Sequence, residues 1–132
     1  MSFESANAKC PVDGRMVFVF GSNLAGRHGK GAALDALKDH GAEYGKALGL
    51  QGKSYAIPTK DENLVPLSLE KIRGYVEEFL RFARQNPEMQ FYVTRVGCGL
   101  AGYRDVDIAP MFAQASSNCL LTPEWKVILV KR

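Results

Sequence analysis

The sequence predicts an α/β fold, a mixed central sheet with helices on both of its faces. Three observations carry that reading. Short apolar runs of strand length alternate with segments of helical period. Glycine-rich stretches follow the runs directly, where such folds place the loops at the carboxyl ends of their strands. A chain of 132 residues, 46% hydrophobic and 23% charged, suits a single domain around one core.

The elements follow in order. Residues 1–15 (MSFESANAKCPVDGR) lack the apolar centre of a signal peptide and read as a flexible lead-in to one domain over 16–132. Residues 16–20 (MVFVF) are apolar throughout, as a strand buried on both faces requires. Residues 21–30 form a glycine-rich loop. A helix over 31–40 follows, with Ala32, Ala33, Ala36 and Leu37 on one side. Gly41 ends it, and 42–48 reads as a second short helix before Gly49 and Gly52. Residues 54–57 (SYAI) form a strand stopped by Pro58. Ser68 then caps a long helix to about Gln85, whose Leu69, Ile72, Tyr75, Val76, Phe79, Leu80 and Ala83 recur at helical spacing. Pro87 closes the connection. Residues 91–96 (FYVTRV) are the third clear strand and 97–103 a second glycine loop. Asp105 or Asp107 starts a helix through Ile108, Met111, Phe112 and Ala115, and 125–130 (WKVILV) reads as a final strand.

Composition excludes several function classes. The net charge of +3 is spread among acids, which argues against sequence-specific nucleic-acid binding and leaves a bias suited to a small anion. Cys10, Cys98 and Cys119 are odd in number and unpaired by spacing, which fits a reducing cytoplasm rather than a disulfide framework. With only His28 and His40 beside them, no metal site is expected. No apolar run reaches the length of a membrane span.

The loops carry the chemistry. Gly21 and Gly26 have P-loop spacing, but Arg27 and His28 stand where Lys and Ser/Thr would hold phosphate and magnesium. Gly26, Gly29 and Gly31 miss the dinucleotide spacing. What remains is an anion site of backbone N–H groups feeding a helix N-terminus, or a tight turn that needs glycine for itself. Lys60, just past a strand, is a candidate nucleophile if desolvated, with Asp61 beside it to hold or tune it. Cys98 lacks an obvious base and reads as a small buried cysteine, and Tyr103 as an aromatic wall for a base or sugar, or a core or rim tyrosine.

Taken together, these loops resemble the macrodomains, the ADP-ribose-binding three-layer α/β/α fold. Residues 23–33 (NLAGRHGKGAA) are similar to the family's asparagine-containing segment at the distal ribose, and 96–100 (VGCGL) to its phosphate-embracing loop. Within the family, 54–60 (SYAIPTK) and 95–100 (RVGCGL) look most like the terminal ADP-ribose protein glycohydrolases, in which a Thr-Lys strand end supplies a catalytic lysine. The aspartate of that branch falls at Ala101. The resemblance implies a ligand site of Gly21, Ser22, Asn23, Gly29, Lys30, Gly31, Ala32, Thr59, Gly97, Cys98, Gly99, Leu100, Ala101, Gly102 and Tyr103, with no cofactor or metal. It implies binding of ADP-ribose or a related NAD-derived nucleotide, free or on an ADP-ribosylated macromolecule. The alternatives are an ADP-ribosyl hydrolase with Lys60 as nucleophile and a displaced Asp105 or Asp107 as acid/base, and sequestration of a nucleotide signal.

Overall fold

The computed structural model describes residues 16–130. In chain order the elements are β1 (Met16–Asn23), α1 (Gly31–Asp39), β2 (Gly49–Gln51), β3 (Ser54–Lys60), α2 (Leu69–Gln85), β4 (Gln90–Val93), α3 (Asp105–Ile108), a 3₁₀ turn (Ala109–Phe112), β5 (Cys119–Leu120) and α4 (Pro123–Val130). They build an α/β domain on a mixed five-stranded sheet of order β2-β3-β1-β4-β5. β3, β1, β4 and β5 run parallel, and β2 is an antiparallel edge. No helix is long and apolar enough to cross a membrane among the described residues.

β1 is central, and its residues alternate between two cores. Val17 and Val19 join Tyr55, Ile57, Phe91 and Val93 under α2, where Ile72, Val76, Phe79, Leu80 and Ala83 form the buried stripe. Met16, Phe18 and Phe20 face the other way, toward Ala33 and Ala36 of α1. The first core is built on aromatic rings, with Phe79 edge-on to both Tyr55 and Phe91. The second also carries rings, with Phe18 stacked on Phe20, His40 and Tyr92 beside the alanines of α1. The chain moves from β1 toward β3 through α1, then back across β1 to β4 through α2. A right-handed crossover in each direction places those helices over opposite faces.

Several elements differ from the sequence expectation. Residues 42–48 are a loop, because their backbone is bound from outside. The Gln51 amide accepts from Glu43 N–H at 2.9 Å and donates to the Lys46 carbonyl at 3.0 Å, and Gly45 N–H donates to the Gly26 carbonyl at 2.7 Å. Residues 125–130 are helical, not a strand. Pro123 occupies the first turn, the Thr122 carbonyl accepts from Lys126 N–H at 3.0 Å, and Trp125 is wholly buried beside Phe112. The helix expected through Ala115 gives way to a 3₁₀ turn at Pro110 and ends at Phe112. The strand expected over 91–96 ends at Val93.

Pro58 does not stop β3. The Phe18 N–H to Lys53 carbonyl bond of 2.9 Å sets the alternation that turns the Pro58 nitrogen away from β1. β2 pairs only with 54–56, so no partner on that side needs an N–H from Pro58. β3 therefore continues to Lys60, with an irregularity opposite Ser22 and Asn23 that inserts Thr59.

Candidate functional site

The carboxyl ends of β3, β1 and β4 lie side by side, at the point where the chain's order across the sheet reverses. A cavity of about 720 Å³ opens there. Its size and place are those of a small-molecule site in an open α/β sheet. It is lined by 21–23, 27 and 29–33 from the first glycine loop, Tyr44, Thr59, Lys60 and Leu64, and 94–101 from the second loop.

Of the residues singled out in the sequence, Gly21, Ser22, Asn23, Gly29, Lys30, Gly31, Ala32, Thr59, Lys60, Gly97, Cys98, Gly99, Leu100 and Ala101 line this cavity together. Gly102, Tyr103, Asp105 and Asp107 do not. The Tyr103 hydroxyl donates to the Leu67 carbonyl at 2.7 Å and its ring packs on the core, so it props the second loop from behind. Asp107 accepts from the Arg104 N–H at 3.0 Å, and that bond holds its carboxyl below the usual value. Asp105 accepts from Arg95 and from the Trp125 indole N–H at 2.8 Å. The bond from Arg95 is the main reason its carboxyl is depressed. Asp61 is also engaged, accepting from Asn63 and Val65 N–H at 2.8 and 3.0 Å in its own turn rather than holding Lys60.

The first glycine loop is braced by side chains. The Asn23 amide clamps Arg27 through both backbone groups, accepting from its N–H at 3.0 Å and donating to its carbonyl at 2.9 Å. Ser22 donates to the Ala47 carbonyl. Gly26, at φ +71°, lies so close to Gly45 that a β-carbon would sit 2.4 Å from its carbonyl carbon. His28 is fully buried, with Nε2 3.1 Å from the Lys46 carbonyl and its ring edge-on to Phe20. His40 stacks on Phe18 at 4.3 Å, and burial lowers its pKa.

The strand ends are tied down too. Thr59 Oγ1 donates to the Ser22 carbonyl at 3.2 Å and Thr94 Oγ1 to the Val19 carbonyl at 2.7 Å. Gly21 has no room for a side chain beyond ordinary contact, since its β-carbon would lie 3.3 Å from Thr59 Oγ1 and 3.5 Å from the Gly97 nitrogen. This bare backbone is where both loops converge. The Cys98 thiol is pushed up to about 12 by burial and then by its bond to Asp105, so it stays protonated and is no nucleophile near neutrality.

The charged lining is cationic, and one of its cations is paired with the Asp105 carboxylate. Arg27, Lys30, Lys60 and Arg95 line the cavity, and among the described residues no aspartate or glutamate does. Exposed backbone at Gly29 and Gly99, where a β-carbon would meet nothing within 4 Å, adds amide surface. Such an arrangement favours a phosphate-bearing ligand. Tyr44 and Leu100, 64% and 62% exposed, form an apolar rim with Leu64 that suits the flat face of a base.

Arg27, Ala33, Arg95 and Val96 line the cavity from within the motifs quoted above without having been named as site residues, and Tyr44, Leu64 and Thr94 are cavity residues that sequence reasoning missed. Thr94 and Arg95 carried a signal, because they follow a strand that ends beside the second loop. Tyr44 and Leu64 carried none, since only the tertiary fold brings their loops to the mouth. Comparison with protein-family models, with curated proteins and with solved structures finds no match for this chain.

Proposed function

We propose that this protein binds ADP-ribose or a related NAD-derived nucleotide, through a three-layer α/β/α architecture of macrodomain type. One observation carries the reading: a cavity at the carboxyl edge of the sheet, walled by two glycine-rich loops and lined by four cationic side chains and, among the described residues, by no carboxylate. The backbone of 97–100 and the N-terminal end of α1 would supply donors to the phosphates. Lys60 would stand near the distal ribose. Asn23 would reach that sugar only with the amide capacity left after its clamp on Arg27. The free thiols of Cys98 and Cys119 fit a cytoplasmic setting.

Binding without turnover is favoured over ADP-ribosyl hydrolysis. Lys60 lines the cavity, but so does Ala101, where the resemblance would want an acid, and Asp105 and Asp107 are engaged by Arg95 and Arg104. A binder of this kind would sequester its ligand intact. Calorimetry with ADP-ribose, followed by intact mass spectrometry, tests both parts. Heat of binding with unmodified protein and intact ligand is expected. No heat at millimolar ligand would refute binding, and release of ADP-ribose from a modified protein or nucleic acid, lost in Lys60→Ala, would establish the hydrolase instead.

A further inference from the structure

The four cations of the cavity are not equivalent. Arg27, Lys30 and Lys60 have no ion-pair partner among the described residues, whereas Arg95 is gripped by Asp105 through Nε to Oδ1 at 2.8 Å and Nη2 to Oδ2 at 2.6 Å. Asp105 is itself fixed by the indole N–H of Trp125, which is wholly buried on α4. The carboxylate is thus oriented from the core before it meets the guanidinium.

A partly exposed ion pair of this kind adds little to stability, so tying the second loop to α3 is not its whole effect. It holds a cation at a cavity lined by three others and, among the described residues, by no acid. The grip uses two of the five N–H groups of Arg95 and leaves up to three for a ligand, in a planar fork that matches phosphate oxygens. Arg95 lies just past β4 and Lys60 ends β3, so they line the cavity on either side of the end of β1. Two cations placed so suit a ligand with two linked phosphates.

We propose that Asp105 is a positioning residue that presents Arg95 as a fixed fork for a phosphate, making the cavity selective for ligands that carry a diphosphate. This rests on the nucleotide reading of the same cavity. It changes the part given to Asp105, whose carboxylate serves Arg95 and not a reacting bond.

The test titrates inorganic pyrophosphate and ADP-ribose into the full chain, read by heat and by the emission of Trp125, the only tryptophan. R95Q should weaken both ligands about tenfold or more, with R95K and D105N between it and wild type. R104Q, which removes the ion pair on Asp107 outside the cavity, should bind within about twofold of wild type. D105N should also shift the Trp125 emission without ligand, and circular dichroism should show the fold retained. Equal ADP-ribose affinity in wild type and R95Q would overturn the fork and leave the nucleotide reading standing. Arg95-dependent binding of pyrophosphate without ADP-ribose binding would do the reverse. Binding of neither ligand overturns both.

Discussion

The two glycine loops look alike in composition and are held in unlike ways. The first is fastened within itself and to the 42–48 loop: by the Asn23 clamp on Arg27, the Ser22 bond to Ala47, and the backbone contact of Gly26 with Gly45. The second adds an ionised group to its fastenings: the Asp105 carboxylate behind Cys98 and Arg95 joins the Tyr103 hydroxyl on Leu67, the Tyr103 N–H to the Gly97 carbonyl at 2.9 Å, and backbone bonds from Cys98 to Arg95 and from Gly102 to Gly99. The difference teaches that glycine content alone does not set a loop's stiffness. One loop is fastened by neutral groups, and the other by neutral groups and a carboxylate.

The contrast breaks most visibly at Gly26. G26A forces a left-handed backbone on alanine and drives its β-carbon into Gly45, so a loss on the order of 3–5 kcal/mol is expected in denaturant unfolding. G29A in the same loop meets nothing and should change stability by less than about 0.5 kcal/mol. Equal effects would show that the first loop is not braced at Gly26. G97A in the second loop also has a positive φ, +80°, but its β-carbon meets a side chain rather than backbone, the buried Ile108 at 3.1 and 3.4 Å. A cost of about 2–3 kcal/mol is expected there.

The smallest effect concerns acid. Arg95 holds the Asp105 carboxyl below its ordinary value of 3.8. A carboxylate depressed in the folded state contributes stability above its unfolded pKa and loses it as pH falls through the folded value. Thermal melting of wild type and D105N should therefore differ modestly near neutrality and converge in strong acid. A gap that persists at about pH 2 would show that Asp105 acts through packing rather than charge.

Much of this architecture was legible in the residues. The apolar run 16–20 that opens β1 and the stripe from Ile72 to Ala83 each fix an element without help from the rest of the chain. The misreadings share a physical cause, which is control from a distance. Residues 42–48 lose a helix because the side chain of Gln51 and the carbonyl of Gly26 claim their backbone. Residues 125–130 have the β-branched character of a strand, yet Thr122 and Pro123 start a helix and Trp125 anchors it in the core. The candidate site divides the same way. Its glycine loops and Lys60 are local features, while Tyr44 and Leu64 reach the cavity only through folding. Asp105 sits near the second loop in sequence, but its carboxylate is taken by Arg95 and Trp125.

Pro58 has a consequence for how the molecule behaves in a crowd. Beyond Ala56 the outer side of β3 has no β2 partner, and an open strand edge beside a binding cavity invites another chain to add itself. Pro58 offers no donor there. The following loop folds back so that Leu67 N–H takes the Thr59 carbonyl at 2.9 Å and Pro66 bridges Lys60. The edge nearest the cavity is closed to strand addition, and the mouth stays open to small solutes at protein concentrations where a bare edge would aggregate.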